Sequence, residues 1–99
     1  MRIDEQFPVF PRRQVFLKYL NTLTANDLNA EDTSWRHDLC PTISFSLGKA
    51  SATLYVAECQ DERDGISIAD SYGETLVDET VTHDSLIARL TQIKKRLGV

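Results

Sequence analysis

Ninety-nine residues, 41% of them hydrophobic and 26% charged, suit one globular domain and argue against a disordered chain. No apolar run reaches the ~18 residues of a membrane span, and the first residues lack the apolar core of a secretory signal. Eleven Lys and Arg against fifteen Asp and Glu leave a net charge of −4, the wrong sign for a protein that holds duplex DNA by neutralising phosphates. No repeat, low-complexity stretch or Gly/Ser linker divides residues 1–99, so the chain reads as one small acidic domain.

The first ten residues carry Phe7, Pro8, Val9 and Phe10, an extended apolar arm. Pro11 suits the first turn of a helix, where its missing N–H costs nothing. Phe16, Tyr19, Leu20 and Leu23 then recur at helical spacing and predict a helix from about Arg12 to Thr24. Asn26, Asp27 and Asn29 end it. The polar stretch from Leu28 to Leu39 reads as a loop or short helix, anchored by Trp35 and Leu39.

Ile43, Phe45 and Leu47 alternate with Thr42, Ser44 and Ser46, the period of a half-buried strand. Gly48-Lys49 fits a two-residue hairpin turn, and Ala50, Ala52, Leu54 and Val56 alternate with Ser51, Thr53 and Tyr55. Pairing Leu47 with Ala50 sets Phe45 against Ala52 and Ile43 against Leu54, which gathers every large aliphatic on one face. After Cys59 comes an acidic turn, Gln60 to Gly65, and the alternation resumes at Ile66 and Ile68. Tyr72-Gly73 offers a second tight turn into a strand from Thr75 to Val81. Placing Ser71 against Glu74 brings Ile68 to Val77 and leaves Glu79 on the apolar side.

Thr82 can cap a closing helix that has Asp84 in its first turn and Lys94, Lys95 and Arg96 in its last, matching the macrodipole at both ends. Leu86, Ile87, Leu90, Ile93 and Leu97 form its buried stripe, Arg89 lies off that stripe, and Gly98 is a stop. The expected architecture is α+β: an N-terminal helix, a four-stranded antiparallel meander and a C-terminal helix, with both helices on one face in a two-layer sandwich.

Catalytic and metal patterns are weak. His37 and Cys40 are three apart, and Cys59 and His83 could complete four ligands, but a structural zinc site normally shows two short ligand pairs. No Gly-x-Ser-x-Gly elbow is present, and His83, between Thr82 and Asp84, reads as a helix-terminus residue. Asp61, Glu62 and Asp64 lie on a turn where solvent would keep them ordinary acids, and a calcium loop starting there would put its distal Glu at Ser71. No metal and no cofactor is expected. Two cysteines without a secretory signal are expected to stay reduced in the cytoplasm.

Charge is unevenly spread. Glu58 to Asp84 holds nine acids and one base, Arg63, while residues 85–97 carry +4. The sheet's second face, with Thr42, Ser44, Ser46, Ser51, Thr53, Tyr55, Ala57, Ser67 and Ala69, has no charge at its centre, unlike the usual Lys- or Glu-rich solvent face. These patterns favour a non-enzymatic binding protein of the inhibitor, immunity or anti-defence type that phages and mobile elements encode. It would cover a basic surface of another protein, one suited to nucleic acid, and would itself contact neither nucleic acid nor membrane. Asp61, Glu62, Asp64, Glu74 and Asp78 would steer the encounter, with Tyr55 or Trp35 as anchor. A helix leading into a short antiparallel sheet, in a small acidic chain, also resembles the bacterial secretion chaperones. That resemblance implies the alternative, a homodimeric chaperone or adaptor holding a segment of another protein.

Overall fold

Gly48 takes φ +59°, a conformation open to glycine at no steric cost, and this turn joins β2 (Thr42–Leu47) to β3 (Ala50–Tyr55). The register is the expected one, with Leu47 opposite Ala50, Phe45 opposite Ala52 and Ile43 opposite Leu54. The computed structural model describes residues 2–58 and 63–97. Its other elements are α1 (Arg2–Gln6), α2 (Arg13–Ala25), β1 (Glu31–Asp32), β4 (Asp64–Ala69), β5 (Thr75–Val81) and α3 (His83–Leu97). The fold is α+β, with helices at both ends of an antiparallel sheet in the order β1-β2-β3-β4-β5.

The sheet therefore has five strands rather than four. The added strand, β1, lies in the segment expected to be a loop or short helix, and it pairs Glu31 with Ser44 and Asp32 with Ile43. Asp27 and Asn29, at φ +56° and +52°, turn the chain out of α2 toward this edge, a geometry that Asn and Asp tolerate better than most residues. The N-terminal arm is also corrected. Its first residues form α1, because the Asp32 carboxylate accepts the Ile3 amide (2.7 Å) and the Ile3 side chain is wholly buried.

Trp35 and Leu39 do not anchor the segment that carries them. Trp35 is 43% exposed and Leu39 is 99% exposed. Polar groups hold this segment instead. Asp32 also accepts the Ser34 amide, and Arg2 donates to the Ser34 carbonyl, leaving Ser34 completely buried.

Ile68 meets Val77 as expected, but the turn beyond is built differently. Asp70 Oδ1 accepts the Tyr72 and Glu74 amides, and the Asp70 amide donates to the Glu74 carbonyl. The loop thus closes at Asp70 and Glu74, one residue away from the Ser71–Glu74 pairing, with Gly73 at φ +84°. The leftover residue is Leu76, a bulge where Ala69 pairs with Thr75 and Ile68 with Val77.

One core unites both helices with one face of the sheet. Phe16, Tyr19 and Leu23 of α2 and Leu86, Leu90 and Ile93 of α3 cluster with Ile43, Phe45, Leu54, Ile66 and Ile68. On the opposite face Ser46, Ser51 and Tyr55 are exposed, whereas Thr42 and Ala57 are buried, against expectation. Thr42 bonds the Thr33 hydroxyl (2.9 Å). Glu79, the acid on the apolar side, forms a two-pronged ion pair with Arg89, so that arginine ties α3 to β5. At the start of α3, Thr82 Oγ1 accepts the Ser85 amide while the Ser85 hydroxyl accepts the Thr82 amide, a reciprocal cap. Thr82→Ala should lower stability by about 1 kcal/mol in urea melts, and a change under ~0.3 kcal/mol would show that the cap is idle.

Candidate functional site

Asp64 is not a solvated turn residue. It opens β4 with its side chain 6% exposed, and four donors converge on it. Arg12 donates to both carboxylate oxygens (2.7 and 3.1 Å), the Tyr19 hydroxyl donates at 2.6 Å, and the Ala57 amide donates at 2.8 Å. Arg12 also donates to the Ala57 carbonyl (2.7 Å). Burial alone would raise the Asp64 pKa, but the bonds from Arg12, Tyr19 and Ala57 outweigh it and hold the carboxyl below its usual value. Burial, and then the Asp64 carboxylate, push the Tyr19 phenol far upward. Asp64 is thus engaged inside the protein, where a partner cannot reach its charge. Ala57 is thereby tied to Asp64 and Arg12, and Asp64 is tied to Tyr19 of α2.

A cleft of about 690 Å³ opens over this cluster, lined by Arg12, Tyr19, Arg63, Thr82 and His83 among others. The Arg12 guanidinium there already faces the Asp64 carboxylate, so the cleft does not offer it as an anion receptor. His83 Nε2 lies 2.9 Å from the Thr22 hydroxyl, and His83 Nδ1 lies 3.6 Å from the Asp84 carboxylate. Hydroxyl, imidazole and carboxylate in series is the order of a nucleophile–base–orienter set. Thr22, however, is outside the residues that line the cleft, and Asp84 is fully exposed. His83 and Thr22 serve as a cross-link between α3 and α2.

Of the four candidate metal ligands, the two histidines each lie against an aromatic ring. His37 packs against Trp35 (5.1 Å between ring centres) and His83 packs against Tyr19 (5.5 Å). Cys59 lies outside the described residues, and among the described residues no group of three or more His, Cys, Asp or Glu is placed to hold a metal.

Three of the exposed apolar residues, Val9, Leu39 and Tyr55, collect at another place. Leu39 borders three adjoining clefts. One, of about 310 Å³, runs along Phe7 to Pro11 and is closed by Glu58, with Phe7 and Phe10 edge to face and Val9 90% exposed. The second, of about 510 Å³, lies against Thr42, Ser44, Thr53 and Tyr55 of the hydroxyl face. The third, of about 400 Å³, joins Tyr55 to Glu58 and Arg63. Tyr55, the anchor read from the sequence, belongs to this surface, and so do Leu39 and Val9, which hydrophobicity patterns alone assigned to the interior or to an arm.

Of the other residues read as steering or anchoring a partner, Trp35 is half exposed with Arg36 over its ring (5.8 Å). Glu74 and Asp78 are exposed on the β4–β5 turn and on β5, and neither lines the three clefts. Asp61 and Glu62 lie outside the described residues. No helix among the described residues is long and apolar enough to cross a membrane. No protein-family model matches the chain, and comparison with curated proteins and with solved structures gives no match.

Proposed function

We propose that this protein is a non-enzymatic binding factor that covers a basic surface of another protein, in the manner of an inhibitor, immunity or anti-defence protein. The observation that carries the reading is Leu39, almost wholly exposed where three clefts meet and flanked by Tyr55, Val9 and Glu58. A leucine held in water on an ordered surface forgoes about 1.5–3 kcal/mol of burial, which a partner recovers on docking. Tyr55 adds a rigid aromatic of the kind found at interface hot spots. The chain's −4 charge selects partners of the opposite sign and quickens their encounter. The same exposed apolar residues suit the second reading, a homodimeric adaptor.

The test is capture from the native host on immobilised wild type, Leu39→Asp and Tyr55→Ala, at two salt concentrations, followed by mass spectrometry. A basic protein held by wild type should be lost on both variants and retained less at high salt. Identical capture by wild type and Leu39→Asp would overturn the proposal. A constitutive dimer in light scattering that Leu39→Asp converts to monomer would favour the adaptor instead.

A further inference from the structure

We propose that the outer edge of β5 takes up an extended basic segment of another protein as a sixth strand. The inference rests on the protein-binding reading above but places the contact on a different surface. The two edges of the sheet are treated unequally. Along β2 the chain covers its own edge: β1 pairs there, the Thr33 amide donates to the Thr42 carbonyl, and the Ser46 amide donates to the Leu28 carbonyl. β5 has seven residues and, among the described residues, a strand neighbour on one side only, so its outer N–H and C=O groups form a template for strand pairing. Leu76 at the bulge is 42% exposed, and Tyr72 stands exposed in the turn beyond it, so apolar surface flanks that edge.

Charge selects the occupant. Asp78 is exposed at mid-strand, Glu74 precedes β5 and Asp84 follows it, while Glu79 is neutralised by Arg89. β5 itself carries no Lys or Arg. A second copy is a poor fit, because full-length two-fold pairing, with Leu76 against Thr80, sets Asp78 against its own copy, and like charges directly opposite repel. A lysine or arginine opposite Asp78 turns the same position into an attractive pair.

The experiment is an amide NMR titration with a seven-residue blocked peptide of alternating lysine and valine. Two controls accompany it, the glutamate-for-lysine peptide and a lysine peptide N-methylated at alternate residues. The lysine peptide should shift the β5 amides and slow their hydrogen exchange, and neither control should. Asp78→Lys, at an exposed position, should weaken binding at least tenfold with the fold intact. Shifts that survive N-methylation, no response in β5, or β5 protection in a peptide-free dimer would each overturn the proposal. A response confined to Leu39 and Tyr55 would also remove the edge site while leaving the docking surface standing. Intact β5 binding with no loss of capture on Leu39→Asp would remove the docking surface alone.

Discussion

Replacing Asp64 by alanine is expected to cost about 3–5 kcal/mol, a large part of the 5–15 kcal/mol that holds a domain of this size together. Removing one member of a buried pair costs more than the pair contributes, because the remaining charge stays behind without compensation. The Arg12 side chain is 13% exposed and cannot swing fully into water, and the Tyr19 hydroxyl and the Ala57 amide lose their acceptor in the same step. Tyr19→Phe removes one neutral donor and leaves the ion pair whole, so its cost should be nearer 1 kcal/mol. Urea melts of the two variants at neutral pH check the order. Equal costs would mean that the ion pair carries no more than the phenol bond.

The same group sets the behaviour in acid. Asp64 titrates below the usual 3.8 in the folded protein, so the unfolded chain binds its proton first as pH falls. The stability that Asp64 contributes is whole above that usual value and disappears as pH drops through the lowered, folded value. Stability of the wild type should therefore fall steeply below about pH 4, and Asp64→Asn should flatten that fall. Asp4 and Glu79 are also held low, each first by its arginine partner. Both of those pairs are more exposed than Arg12–Asp64, so solvent screening limits their share.

Periodic features of this fold were legible in the sequence, and features set by single long-range polar bonds were not. Ile43, Phe45 and Leu47 announce a strand because alternation is local, and Gly48 adds an independent turn signal, so even the residue pairing followed. Asp64 looks the same as Asp61 and Glu62 in sequence. What buries it is Arg12, 52 positions away, and no periodicity couples the two. The segment from Leu28 to Leu39 failed for a related reason. Asp32 and Ser34 dock it onto α1 through polar bonds, which left its apolar residues Trp35 and Leu39 facing outward. A sequence rule that buries apolar residues then hides the very residues that define the candidate surface. The bulge at Leu76 turns on one Asp70 oxygen accepting two amides, a choice between neighbouring turn geometries that composition does not make.

Leu90→Ala should separate packing from ion pairing at the other end of the chain. Leu90 is 3% exposed in the stripe that α3 lays on the core. Deleting most of its side chain removes the burial and leaves a cavity, together about 2–5 kcal/mol. Its neighbour Arg89 holds Glu79 with two hydrogen bonds, but both side chains keep roughly a third of their surface in water. An ion pair so placed contributes about 1 kcal/mol or less, and the charge left behind by Arg89→Ala can be solvated. With a slope of about 1 kcal/mol per molar urea, Leu90→Ala should lower the midpoint by ~2 M or more and Arg89→Ala by under ~1 M. The slope itself should stay unchanged in both if unfolding remains all-or-none. If the two midpoints coincide, α3 is held to the sheet chiefly through Glu79 and Arg89, and the helical stripe is not what fastens it.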